Sequence, residues 1–277
     1  MRFSPIAVLA VKAWCLGCMT VATAPVHAAC KTTSHKLVRV SGVADAQTLH
    51  LEDGSEVRLV GVLPPQTPRW WKKPAPWPPA DAARRALAAL TKSHPLELRF
   101  AEGEERRDRH NRILAHVFVM RGEERIWVQA HLVSAGLARV VSFSRHRACA
   151  RDLQRVEERA RANSVGLWSK EQFTAISAAD TDALSKRRFS FQLVEGTVRS
   201  VATTPKWTFL NFDDDWRRDF TIAIAAKNRR MFRGSDVNLE ALEGKAIRAR
   251  GWLENWNGPA IKVTHPEQIE LLESENK

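Results

Sequence analysis

Apolar and polar positions alternate in three short runs near the start of the chain, "KLVRVSGV" (36–43), "QTLHLED" (47–53) and "SEVRLVGV" (55–62), divided by turn residues such as Asp53-Gly54. A period of two over so few residues predicts a three-strand meander, since successive side chains of a strand point to opposite faces. The next stretch, "TPRWWKKPAPWPPA" (67–80), holds five prolines and three tryptophans. That density of proline forbids a helix or a central strand and predicts an irregular loop, possible polyproline character included. Beyond it, Asp81 is expected to cap a helix over "AARRALAALTK" (82–92).

Two further strands, "HPLELRFAE" (94–102) and "NRILAHVFVM" (111–120), flank the charged loop "EGEERRDRH". A helix over "WVQAHLVSAGLA" ends near Gly136, and the strand-like "RVVSF" follows. From Arg147 to Asn163 the period changes to 3.6: Cys149, Leu153, Val156 and Ala160 share one face, while Arg147, Arg151, Arg155 and Arg159 recur on another. That arginine stripe reads either as a solvated face, interleaved with Glu157 and Glu158, or as a nucleic-acid contact surface. Residues 171–188 lack a sustained period and are expected to be a linker. After it, three strand-like segments, a helical "DVNLEALEG" and two more strands, with glycines at Gly196 and Gly251, match a small OB-like barrel.

The ends of the chain and its charge add a compartment and a partner class. Residues 1–28 have Arg2, an apolar middle and a small-residue ending with Val26 and Ala28, the pattern of a secretory signal peptide cut before Ala29. An uncleaved anchor is the alternative reading of this run, which Lys12 interrupts. The product is expected to be exported, periplasmic or secreted, with no membrane-spanning segment in the mature chain. Removing the leader takes Cys15 and Cys18 with it and leaves Cys30 and Cys149, expected to pair as a disulfide in an oxidising compartment; two free thiols are the alternative. From Ala29 to Arg188 there are 28 Lys and Arg against 18 Asp and Glu, and from Phe189 to Lys277 there are 13 of each. The positive excess thus sits on the first part and favours a polyanion there, single-stranded nucleic acid or another phosphate-bearing polymer.

The runs "DAQTLHLEDGSEVRLVGV", "DRHNRILAHVFV", "VQAHLVSAGLARV" and the closing "GLW" occur in an order and spacing that resemble the thermonuclease family, the staphylococcal nuclease-like proteins. The resemblance covers residues 36–168, about half of the chain. It implies a mainly β, α+β architecture: a five-stranded OB barrel with three helices over 29–170, the linker 171–188, and the second OB-like barrel over 189–277. It also implies cleavage of phosphodiesters with calcium held by two aspartates, a glutamate acting on water, and two arginines on the phosphate.

The arginines of that pattern are present as Arg58 and Arg112, expected to bind phosphate. The acids are not. The family's D-G-D-T turn reads "DAQT", which puts Gln47 at one metal-ligand position; Leu63 holds the other, and Gln66 stands where the catalytic base would be. His110 replaces the tyrosine before the second arginine, in a chain with no tyrosine. Hard cations need anionic oxygens, and loss of a general base costs about 10²- to 10⁴-fold in rate. The expectation is therefore a protein without calcium or other cofactor that binds nucleic acid and does not cut it. A metal-independent nuclease rebuilt on Asp45 and His110 is the first alternative, and an envelope protein-interaction module acting through the neutral second barrel is the second. Trp70, Trp71 and Trp77 read either as stacking platforms for single strands or as a loop packing its own rings. Trp207, Phe209, Phe212, Trp216, Trp252 and Trp256 of the second barrel fit core packing and protein contact better, beside Asp213 to Asp215.

Overall fold

A computed structural model describes residues 30–215 and 218–272. The segment expected as a signal peptide, with Cys15 and Cys18, and Trp216 lie outside the described residues. The fold is α+β and is built on two similar curled sheets.

The first sheet uses β1 (Thr33–Val38), β2 (Val40–Asp45), β3 (Thr48–Leu51), β4 (Glu56–Leu59), β6 (Leu96–Phe100) and β7 (Ile113–Arg121), in the spatial order β1-β6-β7-β4-β3-β2. Its two edges, β1 and β2, are adjacent in sequence and are parted only at Arg39. The run expected as one strand is thus two, one pairing with β6 and the other with β3, and this bent segment brings the sheet back on itself. Register shifts lie between Val40 and Gly42 and between Val43 and Asp45; such bulges increase local bend and twist. β4 runs parallel to β7, with Arg58 opposite Leu114. β5 (Val62–Leu63) pairs with β9 (Arg139–Val140), and β8 (Glu124–Trp127) extends the hairpin from β7.

Three helices cover this barrel: α1 (Pro78–Thr91), α2 (Val128–Ser134) and α3 (Ala150–Ala162). Helix α1 starts earlier than expected, with Trp77 and not Asp81 at its cap position. Pro78 and Pro79 occupy the first turn, where the missing N–H groups have no partner to lose. Asp81 lies within that turn and pairs with Arg84 and Arg85. Leu87 and Leu90 from α1, Leu132 and Val133 from α2, and Cys149, Leu153 and Val156 from α3 join the strand side chains in one core. The ends of α2 and α3 meet at two glycines, Gly136 and Gly166, both with positive φ. A Cβ on Gly136 would sit 2.1 Å from the Val165 carbonyl oxygen, and one on Gly166 would sit 2.5 Å from the Gly136 oxygen. Only glycine permits so close a backbone approach, which explains the Gly in both "AGLA" and "VGLW".

The second sheet contains β11 (Phe191–Thr197), β12 (Ser200–Thr203), β13 (Trp207–Asn211), β14 (Thr221–Ala225), β15 (Ala246–Asn255) and β16 (Pro259–Val263). Their order is β11-β15-β16-β14-β13-β12, the same path as the first sheet strand for strand, again with the first and last strands of the path consecutive in sequence. The fourth and sixth of these strands in chain order, β14 and β16, are parallel as β4 and β7 are, with Ile222 opposite Ile261. That repeated topology is what an OB-like second barrel requires. β17 (Ile269–Leu271) adds to β15. The expected helix at 236–244 is a single 3₁₀ turn, Leu239–Ala241, and a longer 3₁₀ segment at Ala226–Phe232 carries no apolar period that could announce it.

The stretch expected as a linker is structured and packs with the second barrel. Ile176–Ser177, β10, pairs in parallel with β11. Asp180 caps α4 (Thr181–Lys186) by accepting from the Ala183 N–H, and Leu184 is fully buried in the second core. A strand of two residues and a helix of six are too short to show a period, so the pattern is invisible in sequence.

Helix α3 joins the barrels. Arg147 bonds Glu267; Arg151 donates to the Ile269 and Pro266 carbonyls and to Asp236; and Gln154 donates to the Glu267 carbonyl. Half of the arginine stripe, Arg147 and Arg151, is therefore part-buried and engaged by the second barrel. Glu157, expected on an open face, is fully buried: Val140 N–H donates to one oxygen, and the other lies 2.8 Å from Arg250 Nη2. Arg139 crosses the same boundary, donating to the Phe191 carbonyl while its guanidinium lies over the Phe173 and Phe191 rings.

Candidate phosphate-binding cleft

The cleft lies where β3 and β4 turn towards the proline-rich loop. It encloses about 320 Å³, with Asp45, Gln47, Arg58, Gln66, Asp81 and Arg84 on its wall together with Pro64, Pro65 and Pro76. Gln47 follows the Ala46 corner and is buried. Its amide nitrogen donates to the Leu59 and Val62 carbonyl oxygens at 2.9 and 2.8 Å, and its amide oxygen accepts from Arg58 Nη2 at 2.9 Å. These partners fix the orientation of the amide: two carbonyls need a donor, and a guanidinium needs an acceptor.

Arg58 is half-buried, and among the described residues its guanidinium makes no ion pair. Burial first, and then the charge of Arg112, lower its pKa from the ordinary value, with Asp45 and Asp108 opposing. An anion bound beside Arg58 would offset both the cost of burying its charge and the repulsion from Arg112. Arg112 is otherwise satisfied. Its Nε donates to Asp108 Oδ2 at 2.8 Å, and the other oxygen of that carboxylate accepts from the backbone N–H groups of His110 and Arg112. Desolvation raises the pKa of Asp108, but the bonds from Arg112 outweigh it and hold the acid below its ordinary value. Asp108 is the residue that sequence reasoning missed; its signal was the i,i+4 spacing to Arg112 inside "DRHNR".

Of the positions singled out, Asp45, Gln47, Arg58 and Gln66 share the cleft, with Gln66 exposed on its rim, while Arg112 does not line it. Leu63 is elsewhere. It pairs with Arg139 in β5–β9 and packs towards Val141, Trp168 and Phe191 at the boundary of the two barrels. His110 is exposed, and its Nε2 is 3.0 Å from Arg109 Nε. That donor occupies the nitrogen a general base would use. Asp45 is committed as well, accepting from the Gln47 N–H and the Thr48 hydroxyl as a turn residue.

The tryptophan loop divides between its two readings. Trp77 is buried against Leu167 and Phe173, and Trp71 donates its indole N–H to the Ala75 carbonyl, so both hold the loop together. Trp70 packs edge-on against both and remains 66% exposed, beside the exposed Arg69, Lys72 and Lys73. In the second barrel Trp207, Phe209 and Trp256 form their own edge-to-face and stacked cluster. Cys30 and Cys149 are joined in a disulfide. No helix among the described residues is long and apolar enough to cross a membrane.

Residues 56–170 match the family model of the staphylococcal nuclease homologues, so this part of the chain is a nuclease-homologue domain on an OB-like α+β fold. The match includes Arg58, Leu63, Gln66 and Arg112 and begins beyond Asp45 and Gln47. No curated protein matches the chain.

Proposed function

We propose that this is an exported, non-catalytic binder of single-stranded nucleic acid or a similar phosphate-bearing polymer, working without calcium. The observation that carries the reading is Arg58, a half-buried guanidinium in a cleft whose hydrogen-bond partner is the neutral amide of Gln47. A cation held by a neutral group keeps its charge available to a phosphate. Repulsion from Arg112 adds to the gain when an anion arrives. Trp70 and the lysines around it offer the next contacts along a strand, a ring face for a base and charge for the backbone.

The donor set does not suit a hard dication. Gln47 turns its N–H groups towards the carbonyl oxygens of Leu59 and Val62, Leu63 contributes no oxygen, and Asp45 is held by the turn. Calcium takes six to eight oxygens and gains affinity with their charge, so no step is derived through it. The supporting test is titration of the mature protein with single-stranded DNA and RNA, with calcium and with chelator. Binding should weaken as salt rises, in proportion to the phosphates neutralised, with the oligonucleotide intact. Arg58→Ala removes a charge-assisted contact of about 1.5–3 kcal/mol and should weaken binding about 10- to 100-fold. Calcium-dependent cleavage would overturn the reading.

A further inference from the structure

The disulfide does not sit alone in the core. The sulfurs of Cys30 and Cys149 and a ring nitrogen of His116 all lie within 4.8 Å of one another. His116 comes from the middle of β7, is 3% exposed and packs edge-on against Trp127. Its Nδ1 is buried with no hydrogen-bond partner among the described residues. A buried, unpartnered imidazole nitrogen is costly and uncommon. Nothing in the phosphate cleft uses it.

We propose that Cys30, Cys149 and His116 form a redox-gated site for a soft divalent cation of the zinc class: closed while the cysteines are joined, and open once they are reduced. Reduction by a phosphine consumes one water and gives the phosphine oxide and two thiols. Binding of the metal then releases the two thiol protons and leaves two thiolates and a neutral imidazole as ligands. Tetrahedral zinc has Zn–S of about 2.3 Å and Zn–N of about 2.0–2.1 Å, which spaces its donors about 3.4–3.8 Å apart. Donors already within 4.8 Å of one another reach that spacing by side-chain rotation once the sulfurs separate, with the two Cα atoms 5.0 Å apart. Cys149 is the N-cap residue of α3, where the positive end of the helix favours a thiolate. Burial keeps His116 neutral, as a ligand must be. Cys30 is only partly buried, so a water can complete the four-coordinate shell.

The test uses the mature chain, oxidised or reduced with a non-chelating phosphine, titrated with Co²⁺ as a spectroscopic stand-in for zinc. The reduced protein is expected to take one equivalent, with visible bands of tetrahedral cobalt and a thiolate charge-transfer band, both displaced by Zn²⁺. The oxidised protein should show neither. His116→Gln should lower the affinity at least tenfold and shift the visible bands, with circular dichroism checking the fold. Equal cobalt spectra from oxidised and reduced protein, or no thiolate band after reduction, would overturn the proposal without recourse to any variant. An unchanged spectrum and affinity in His116→Gln would remove the imidazole from it.

Discussion

Arg250→Met should be among the most damaging single changes in this protein. Arg250 lies in β15 with 1% of its side chain exposed, and its Nη1 donates to the Val140 carbonyl of the first barrel at 3.0 Å. Its Nη2 is 2.8 Å from Glu157 and also pairs with Glu270. Burial alone would lower its pKa, yet the two carboxylates raise it above the ordinary arginine value. Methionine fills much of the volume but leaves Glu157 fully buried without its 2.8 Å ion-pair partner, with only the more distant charges of Arg139 and Arg161 remaining. Breaking a buried ion pair from one side costs about 3–5 kcal/mol, because the desolvation penalty of the surviving ion is no longer offset. Glu157→Leu in the same background removes that ion. The double variant should therefore be more stable than Arg250→Met alone, with a coupling of at least about 1 kcal/mol, within the range seen for side chains in contact. Urea unfolding followed by tryptophan fluorescence gives the midpoints, and an unchanged m-value keeps the comparison valid. If Arg250→Met cost less than about 1 kcal/mol, or the double variant cost the full sum of its two singles, the joint between the barrels would not depend on this pair.

Three further outcomes are expected. Reducing the disulfide in the presence of chelator releases a loop with a sequence separation of 119 and should cost up to about 4–5 kcal/mol in the chain-entropy treatment, read as a lower urea midpoint. Acid should destabilise the protein through its buried histidines. Burial, then Arg147 and Arg151, depresses His265 to about 4, and burial, then His146, depresses His116 to about 3. Both stay neutral when folded while the unfolded chain takes up protons, so their contribution is complete above about pH 6.5 and is lost as pH falls towards 4 and then 3. His265→Gln should flatten the upper part of that slope in a pH series of unfolding midpoints. Gln47→Glu exchanges two donated hydrogen bonds for oxygens facing the Leu59 and Val62 carbonyls; it should lower stability by about 1–3 kcal/mol at neutral pH and weaken oligonucleotide binding by giving Arg58 an internal anion. Tighter binding in that variant would contradict the role given to the neutral amide.

Much of this molecule was legible in its sequence because the relevant physics is local. Period-two runs gave the strands, the 3.6 period of Cys149, Leu153, Val156 and Ala160 gave the buried face of α3, and Cys30 and Cys149 were expected to pair and do. The resemblance to the nuclease family, carried over residue by residue, put Gln47, Leu63 and Gln66 at positions where it implies carboxylates. Tertiary structure decided what no local pattern encodes. A charge such as Glu157 looks solvated until a second barrel brings Arg250 to it across 93 residues of chain, and a period-two strand gives no sign that it will bend at Arg39 and serve both edges of one sheet. The resemblance reads Gln47 only as an amide at a ligand position; the fold shows what the amide does, by delivering two carbonyl oxygens and one guanidinium to it. His116 gave no signal at all, since its meaning lies in a distance to two cysteines, and distances between remote segments are set by packing.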